Sequence, residues 1–143
     1  MSDWQYQNEI ITDIPEKAVG FVYRITNLLD LREYYGKKKA TFKKTAIKTV
    51  TLKSGIKKKK KIRSEVQSDW DSYYGSSEEL KTDVEKLGRE NFKREILKFC
   101  YTLSEMSYYE AKVQFDTDCL LKPDKFYNSW ISVRIRRAHM IKK

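Results

Sequence analysis

Histidine and cysteine are scarce in this 143-residue chain, which has one histidine and two cysteines. The histidine, His139, lies four residues from the C-terminus. A Ser-His-Asp triad or an HExxH zinc site therefore has no histidine in the body of the sequence. Cys100 and Cys119 cannot complete a structural zinc site with His139 in any standard spacing. We expect both cysteines to be buried thiols in a reducing compartment.

Glycine and long apolar runs are also scarce. The five glycines are too scattered to form the phosphate-binding loops GxxxxGK[ST] or GxGxxG. No apolar run approaches the roughly 18 residues of a membrane span, and the polar N-terminus does not resemble a signal peptide. These absences favour a cytoplasmic protein without a membrane partner. Its chemistry would use carboxylates, tyrosines, lysines, arginines or a metal ion, or it would only bind a partner.

Positive charge is abundant but unevenly distributed. The chain carries 30 basic and 20 acidic residues, for a net charge of +10. Thirteen basic residues and no acidic one lie between Lys37 and Arg63, and five more lie between Arg134 and Lys143. The remaining 12 basic and 20 acidic residues leave a body of net charge −8. Such local charge indicates a polyanionic partner. Nucleic acid is favoured over a membrane surface, because the lysine run lacks interleaved large apolar anchors.

The side-chain pattern predicts an α+β domain. Alternating β-branched and aromatic residues indicate strands at 19–27 and 32–38, which form an antiparallel hairpin, and a third strand at 91–100. Capping boxes predict one helix that begins at Ser76 and ends at Gly88, and another from Thr102 to about Asp118. We therefore expect a small three-stranded antiparallel sheet flanked by helices, with a basic insertion after the first hairpin.

The predicted boundaries place one domain at 19–128, between a loosely ordered arm at 1–18 and a basic tail at 129–143. The basic insertion covers 37–63, and it is either a solvated loop or a β-excursion that follows phosphate groups. In the third strand, strict alternation places Phe92, Ile96 and Cys100 on the same face.

Two tyrosines on the predicted hairpin begin a longer pattern. Gly20-Phe21-Val22-Tyr23 and Tyr34-Tyr35-Gly36 place the two tyrosines on adjacent strands, eleven residues apart. Together with the helix and strand that follow, and with two later motifs, this ordered set resembles the GIY-YIG nuclease family. The stretch 68–77 is similar to that of phage Seg-type homing endonuclease-like proteins. The resemblance covers roughly three quarters of the chain, and its later motifs are Tyr108-Tyr109-Glu110 and Tyr127-Asn128.

The resemblance implies a phage DNA endonuclease that hydrolyses phosphodiester bonds with one Mg²⁺ or Mn²⁺ ion in the cytoplasm of the infected bacterium. Glu110 would be the metal ligand, since one carboxylate suffices when water and phosphate oxygens complete the shell of a hard cation. Tyr23, with a pKa lowered by the cation, would position or deprotonate the attacking water. Tyr34 would line the same face, and Asn128 would steady the site through hydrogen bonds.

One position departs from the family pattern. The family has an arginine eight residues after the glycine of its second motif, and counting from Gly36 reaches Lys44. Lysine cannot form the bidentate guanidinium–phosphate fork, so Lys44 either substitutes for the arginine or leaves its role to another such as Arg63. The family's histidine corresponds to a position near Lys48. The alternatives are therefore a catalytically weak or inactive DNA-binding protein on this scaffold, or a protein-binding regulator.

The basic segments are expected to hold the phosphate backbone of DNA. No separate sequence-reading motif is left over, so a protein partner would supply specificity; the oligomeric state is left open. The residues predicted to contact DNA are Lys37, Lys38, Lys39, Lys43, Lys48, Lys57, Lys58, Lys59, Lys60, Lys61, Arg63, Arg134, Arg136 and Arg137.

Overall fold

The computed structural model describes residues 3–141, without the side chains of residues 43–48 and 61–65. It contains both α-helices and β-strands, so the predicted α+β class is confirmed. The strands are β1 (Trp4–Tyr6), β2 (Glu9–Ile10), β3 (Gly20–Asn27), β4 (Glu33–Lys39), β5 (Thr41–Thr51), β6 (Lys57–Gln67) and β7 (Phe92–Cys100). The helices are α1 (Glu78–Leu87), α2 (Leu103–Asp116) and the single turn α3 (Arg137–Met140).

A five-stranded sheet forms the body, in the order β2-β1-β7-β3-β4. Its centre is the predicted antiparallel unit, since β3 pairs antiparallel with both β4 and β7. The predicted number of three strands is wrong. The N-terminal residues add β1, which runs parallel to β7, and β2 beyond it. Strands of two and three residues are too short to show a readable alternation, which explains the miss.

Trp4 ties the N-terminal residues to the body, where a loosely ordered arm was expected. Its indole is 1% exposed and packs edge-on against Phe21 and Tyr23. The indole nitrogen Nε1 donates a 2.7 Å hydrogen bond to the carbonyl of Trp70. Trp4 therefore belongs to the main hydrophobic core, which also draws residues from β3, β7 and α1.

A register shift in β7 changes which face its last residues occupy. The pairing of β3 with β7 skips Leu97. Phe92 and Ile96 lie in the main core, whereas Cys100 lies in a second cluster with Val22 and Met106, against α2. The predicted placement of Cys100 on the face of Phe92 is wrong, because strict alternation ends at a β-bulge. Both cysteines are buried free thiols, as predicted.

Side chains cap the two longer helices. Ser77 caps α1 by accepting a 3.3 Å hydrogen bond from the backbone nitrogen of Leu80, so the predicted cap at Ser76 is wrong by one residue. Thr102 caps α2 as predicted, accepting from the backbone nitrogen of Glu105 at 3.0 Å. Among residues 3–141, no helix combines the length and apolar character that crossing a bilayer requires.

The basic segment forms a second, two-stranded antiparallel sheet, which we call the basic hairpin. Strands β5 and β6 pair over eleven residues, from Thr41↔Gln67 at the base to Thr51↔Lys57 near the tip. The observed secondary structure is therefore a β-excursion, and its contact with phosphate groups stays a prediction. At the base, the backbone nitrogen of Ser68 donates a 2.9 Å hydrogen bond to the carbonyl of Ala40.

Candidate active site

A cavity of about 350 Å³ opens at the β4 edge of the five-stranded sheet. Strand β4 meets the start of α1, the middle of α2 and the segment after Phe126 at this edge. The cavity is lined by hydroxyl, amide, amine and carboxylate groups. Three of the five predicted catalytic residues line it, namely Tyr34, Glu110 and Asn128.

Glu110 supplies a carboxylate to this cavity from the middle of α2. Its side chain is 16% exposed, and its Oε1 lies 4.0 Å from the Nζ of Lys37. Lys37 also donates a 2.8 Å hydrogen bond to the Oγ of Ser107. Burial raises the pKa of Glu110, and the positive charge of Lys37 opposes this effect. A second cation beside Glu110 would further favour the charged carboxylate.

The donors around Glu110 suit a hard cation that keeps most of its water. The described residues contain no group of three or more His, Cys, Asp or Glu side chains that could enclose a metal ion. Mg²⁺ commonly binds through one or two carboxylates, with water and phosphate oxygens at its other positions. The cavity has room for those ligands, so Glu110 is the residue that could hold such an ion.

The two motif tyrosines differ in their access to the cavity. Tyr34 lines it, and the hydroxyl oxygens of Tyr34 and Ser76 lie 2.7 Å apart in a hydrogen bond. Tyr23 is 0% exposed, with its ring centroid 6.1 Å from that of Tyr34. Tyr23 therefore lies behind Tyr34 as seen from the solvent.

The groups that the chain itself supplies do not lower the pKa of Tyr23, and a lowering by a bound cation stays a prediction. Burial raises the pKa of Tyr23 well above its ordinary value, and neighbouring Tyr73 and Glu110 raise it further. Burial also raises the pKa of Tyr34. Both hydroxyls therefore carry their protons at neutral pH and can donate hydrogen bonds.

Gly36 makes the close packing of the two tyrosines possible. A Cβ at this position would lie 2.5 Å from the hydroxyl oxygen of Tyr23 and 3.1 Å from Cε1 of Tyr34. These distances are well below ordinary van der Waals contact, so a side chain would displace at least one ring. Gly36 is therefore required, because the Tyr23 ring occupies the space that a side chain would need.

Asn128 pairs with the outer edge of β4 as a neighbouring strand would. Its Oδ1 accepts a 3.0 Å hydrogen bond from the backbone nitrogen of Tyr35, and its Nδ2 donates to the Tyr35 carbonyl at 2.8 Å. The Nε2 of Gln114 donates to the same carbonyl at 3.0 Å. An edge strand would otherwise leave these backbone groups unpaired. Asn128 and Gln114 therefore fix the backbone of Tyr35, the residue between Tyr34 and Gly36.

Tyr127 anchors the segment that carries Asn128. Its hydroxyl accepts a 3.0 Å hydrogen bond from the Nδ2 of Asn27 and donates to Asp83 at 2.7 Å. The guanidinium of Arg32 lies 4.0 Å from the centre of its ring. Burial is the main cause that raises the pKa of Tyr127 to about 12. Tyr127 is therefore an anchor at neutral pH and does not supply a proton.

Lys44 lies in the basic hairpin and not in the five-stranded sheet, with its backbone paired to Ser64. Its side chain is outside the described residues, as are those of the predicted DNA contacts Lys43, Lys48, Lys61 and Arg63. The cavity takes its described cation from Lys37, which directly follows Gly36. The basic pattern around Lys37 predicts only a DNA contact for this residue.

The other predicted DNA contacts differ in how exposed their side chains are. Lys38 forms an ion pair with Asp69 at 2.5 Å, and its Nζ lies 4.1 Å from the ring centre of Tyr73. The remaining described members of the set are exposed, namely Lys39, Lys57, Lys58, Lys59, Lys60, Arg134, Arg136 and Arg137. Apart from Lys37, none of these described residues lines the cavity.

Sequence reasoning missed the cavity role of Lys37 and overlooked Gln114 and Trp130. Gln114 lies four residues after Glu110, so helical periodicity places both on one face of α2 and could have identified it. Trp130 lines the cavity and is 71% exposed. It stands outside the predicted domain at 19–128, and no spacing in the sequence marks it.

The family model SegE_GIY-YIG, described as "Putative endonuclease segE, GIY-YIG domain", matches residues 4–131. The match begins at β1 and ends three residues after Asn128. No curated protein and no solved structure matches the chain.

Proposed function

Because this chain belongs to the GIY-YIG endonuclease family of the SegE type, we propose that it hydrolyses phosphodiester bonds of DNA with one divalent metal ion. The observation that carries the proposal is the meeting of Tyr34, Lys37 and Glu110 in one polar cavity. We further propose that the protein is phage-encoded, resembles homing endonucleases and acts in the cytoplasm of the infected bacterium.

Phosphodiester hydrolysis requires a positioned water and stabilisation of the negative charge that develops on the phosphate. When bound at Glu110, Mg²⁺ or Mn²⁺ would act as a Lewis acid toward the phosphate oxygens. Lys37 would add a second positive charge on the same side of the cavity. The charge of Glu110 would keep the Lys37 ammonium and the metal ion close to the phosphate.

The two tyrosines would have separate roles. Tyr34 would contact the attacking water, since its hydroxyl lines the cavity and keeps a proton at neutral pH. Tyr23 is fully buried, so it would act as a positioning residue that supports the Tyr34 ring from below. Asn128 would keep Tyr34 and Gly36 in register through its bonds to Tyr35.

The direct test is Mg²⁺-dependent nicking of a supercoiled plasmid by the wild type and by Glu110→Gln. The variant should lose at least about 100-fold in rate, because a metal ion supplies several kcal/mol of transition-state stabilisation. Asp116→Asn is the matched control on the same helix. Its carboxylate is 61% exposed and pairs with Lys112 at the surface, so this variant should keep wild-type activity. Full activity in Glu110→Gln would remove the proposed site.

A second candidate is a DNA-binding protein on the same scaffold that does not cleave. It is favoured by Lys44 at the position of the family arginine, and no arginine is among the described residues that line the cavity. This protein would bind DNA with an affinity that falls steeply with salt and would leave plasmid intact with every divalent metal. Nicking by the wild-type protein, lost in Glu110→Gln, would exclude it.

A further inference from the structure

Trp130 differs from the other tryptophans of the chain in its exposure. Of the three tryptophans, Trp4 and Trp70 are 1% and 4% exposed, whereas Trp130 is 71% exposed. Trp4 and Trp70 are also joined by the hydrogen bond between the Trp4 indole and the Trp70 carbonyl. A large aromatic surface is therefore open to solvent at the cavity that contains Glu110.

The exposure of Trp130 does not come from a segment without packing partners. Trp130 and Ser132 line the cavity, whereas Val133 and Ile135 line a groove along α2. Val133 and Ile135 thus lie beside α2, and Trp130 lies at the cavity. Arg134 is exposed.

The cation that shares the cavity with Trp130, together with the basic residues that follow Trp130 in the sequence, matches a polyanionic ligand. Lys37 lines the same cavity. Residues 129–141 contain Arg134, Arg136 and Arg137 and no acidic residue. Sites for single-stranded nucleic acid combine aromatic rings, on which bases stack, with cations that contact the phosphates. In a regular duplex both faces of each base are covered by its neighbours, so a ring can stack only on a base that has left the stack.

We propose that Trp130 stacks on an unstacked nucleobase of the DNA strand whose phosphate occupies the cavity. This inference rests on the proposed function and adds a preference for DNA that is single-stranded or distorted beside the cut. Trp130 then serves as a binding residue, while Lys37 and Glu110 face the phosphate.

The inference can be tested by the intrinsic fluorescence of the 143-residue chain, because Trp130 is the exposed one of its three tryptophans. Short fluorescein-labelled oligonucleotides, single-stranded or fully paired, are titrated in EDTA so that binding occurs without cleavage. Anisotropy reports binding, and unlabelled oligonucleotides are used to follow tryptophan emission. We expect single-stranded DNA to quench the emission of the wild type and to leave that of Trp130→Phe unchanged.

The affinities of three variants complete the test. Trp130→Ala should bind single-stranded DNA about 10-fold more weakly, within the range for losing one aromatic–base stack. Trp130→Phe keeps an aromatic ring and should lose less than about 3-fold. Tyr101→Ala removes a 50% exposed aromatic residue that does not line the cavity, and it should bind like the wild type.

Three outcomes would overturn the inference. The first is DNA binding with unchanged tryptophan emission, or with full affinity in Trp130→Ala. The second is an emission that changes on protein dilution without DNA, which would assign the Trp130 surface to a second copy of the chain. The third is the absence of DNA binding at low salt, which would overturn the proposed function as well. Plasmid nicking without quenching would overturn the role of Trp130 alone.

Discussion

The five-stranded body and the basic hairpin are both β structures, but they differ in what surrounds their strands. In the body, Phe21, Tyr23 and Ile25 of β3 are each 0% exposed. In the hairpin, Phe42, Leu52, Ile56 and Val66 are between 40% and 63% exposed, and Val50 is only partly buried. Burial of apolar surface is the main favourable term in folding. The body therefore holds the stability, and the described apolar side chains of the hairpin add little burial to its backbone pairing.

The two regions also differ in net charge, since the hairpin is basic and the body is acidic. The hairpin, at residues 41–67, carries ten basic residues and one acidic residue, whereas the chain outside 37–63 and 134–143 has a net charge of −8. The register places Lys48 opposite Lys60, and like charges that face each other across two strands are destabilising. A two-stranded hairpin alone is only marginally stable in water. A polyanion beside the hairpin would neutralise its charges, so binding and hairpin stability should be linked.

The largest expected effect concerns the core. Trp4→Ala should lower the free energy of unfolding by about 3–5 kcal/mol, as expected for truncation of a large buried aromatic side chain. Leu52→Ala in the hairpin should change it by no more than about 0.5 kcal/mol, since Leu52 is already 44% exposed. Urea denaturation measures both values. Similar losses in the two variants would break the distinction between a stable body and a weakly packed hairpin.

An intermediate effect concerns the charge of the hairpin. Replacing Lys57, Lys58, Lys59 and Lys60 by Gln should make the slope of log affinity against log salt shallower by up to about 3–4, with unfolding unchanged. The control variant replaces four exposed lysines of the body by Gln, namely Lys17, Lys81, Lys86 and Lys125. It has the same net charge, so an equal change in slope would mean that total charge, and not the hairpin, determines DNA affinity.

The smallest expected effect concerns the partly buried carboxylate of Glu110. Burial raises the pKa of Glu110 above its ordinary value of 4.5. The folded state therefore holds this proton more tightly than the unfolded state, and the resulting stability is lost as pH rises from 4.5 through the raised pKa. Glu110→Gln avoids this loss, so in EDTA it should be more stable than the wild type at pH 7.

Urea denaturation from pH 4 to pH 8 tests this expectation. The stability gap between Glu110→Gln and the wild type should be smallest at the acidic end and should reach a plateau above the raised pKa. A gap that is the same at every pH would show that the substitution acts through packing. Lys57, Lys58, Lys59 and Lys60 of the hairpin are exposed, so burial imposes no such cost on their charges.

Local sequence signals predicted those parts of the fold that depend on local chemistry. The strands around Tyr23 and Tyr34, the cap at Thr102 and the stop at Gly88 each follow from a few neighbouring residues. The same signals missed β1 and β2, which exist because Trp4 has a core to enter. They also misplaced Cys100, because the bulge at Leu97 arises from pairing with β3.

The candidate site divides in the same way. The order of the motifs predicted Tyr34, Glu110 and Asn128 as site residues, and all three line the cavity. Sequence reasoning did not anticipate Lys37 beside Glu110, the hydrogen bond from Gln114 to the Tyr35 carbonyl, or the burial of Tyr23. Each of these depends on how α2 and the segment after Phe126 pack against β4, which involves contacts between residues about 70 to 90 positions apart.

The α+β class, the family resemblance and the separation of a basic stretch from an acidic body can all be read from the amino-acid sequence. These follow from composition and from patterns within single elements. Tertiary structure alone decided that Tyr23 is buried with a raised pKa, while Tyr34, Lys37 and Trp130 share the cavity of Glu110. Exposure and electrostatic environment depend on which elements meet, and that is set by the packing of the whole chain.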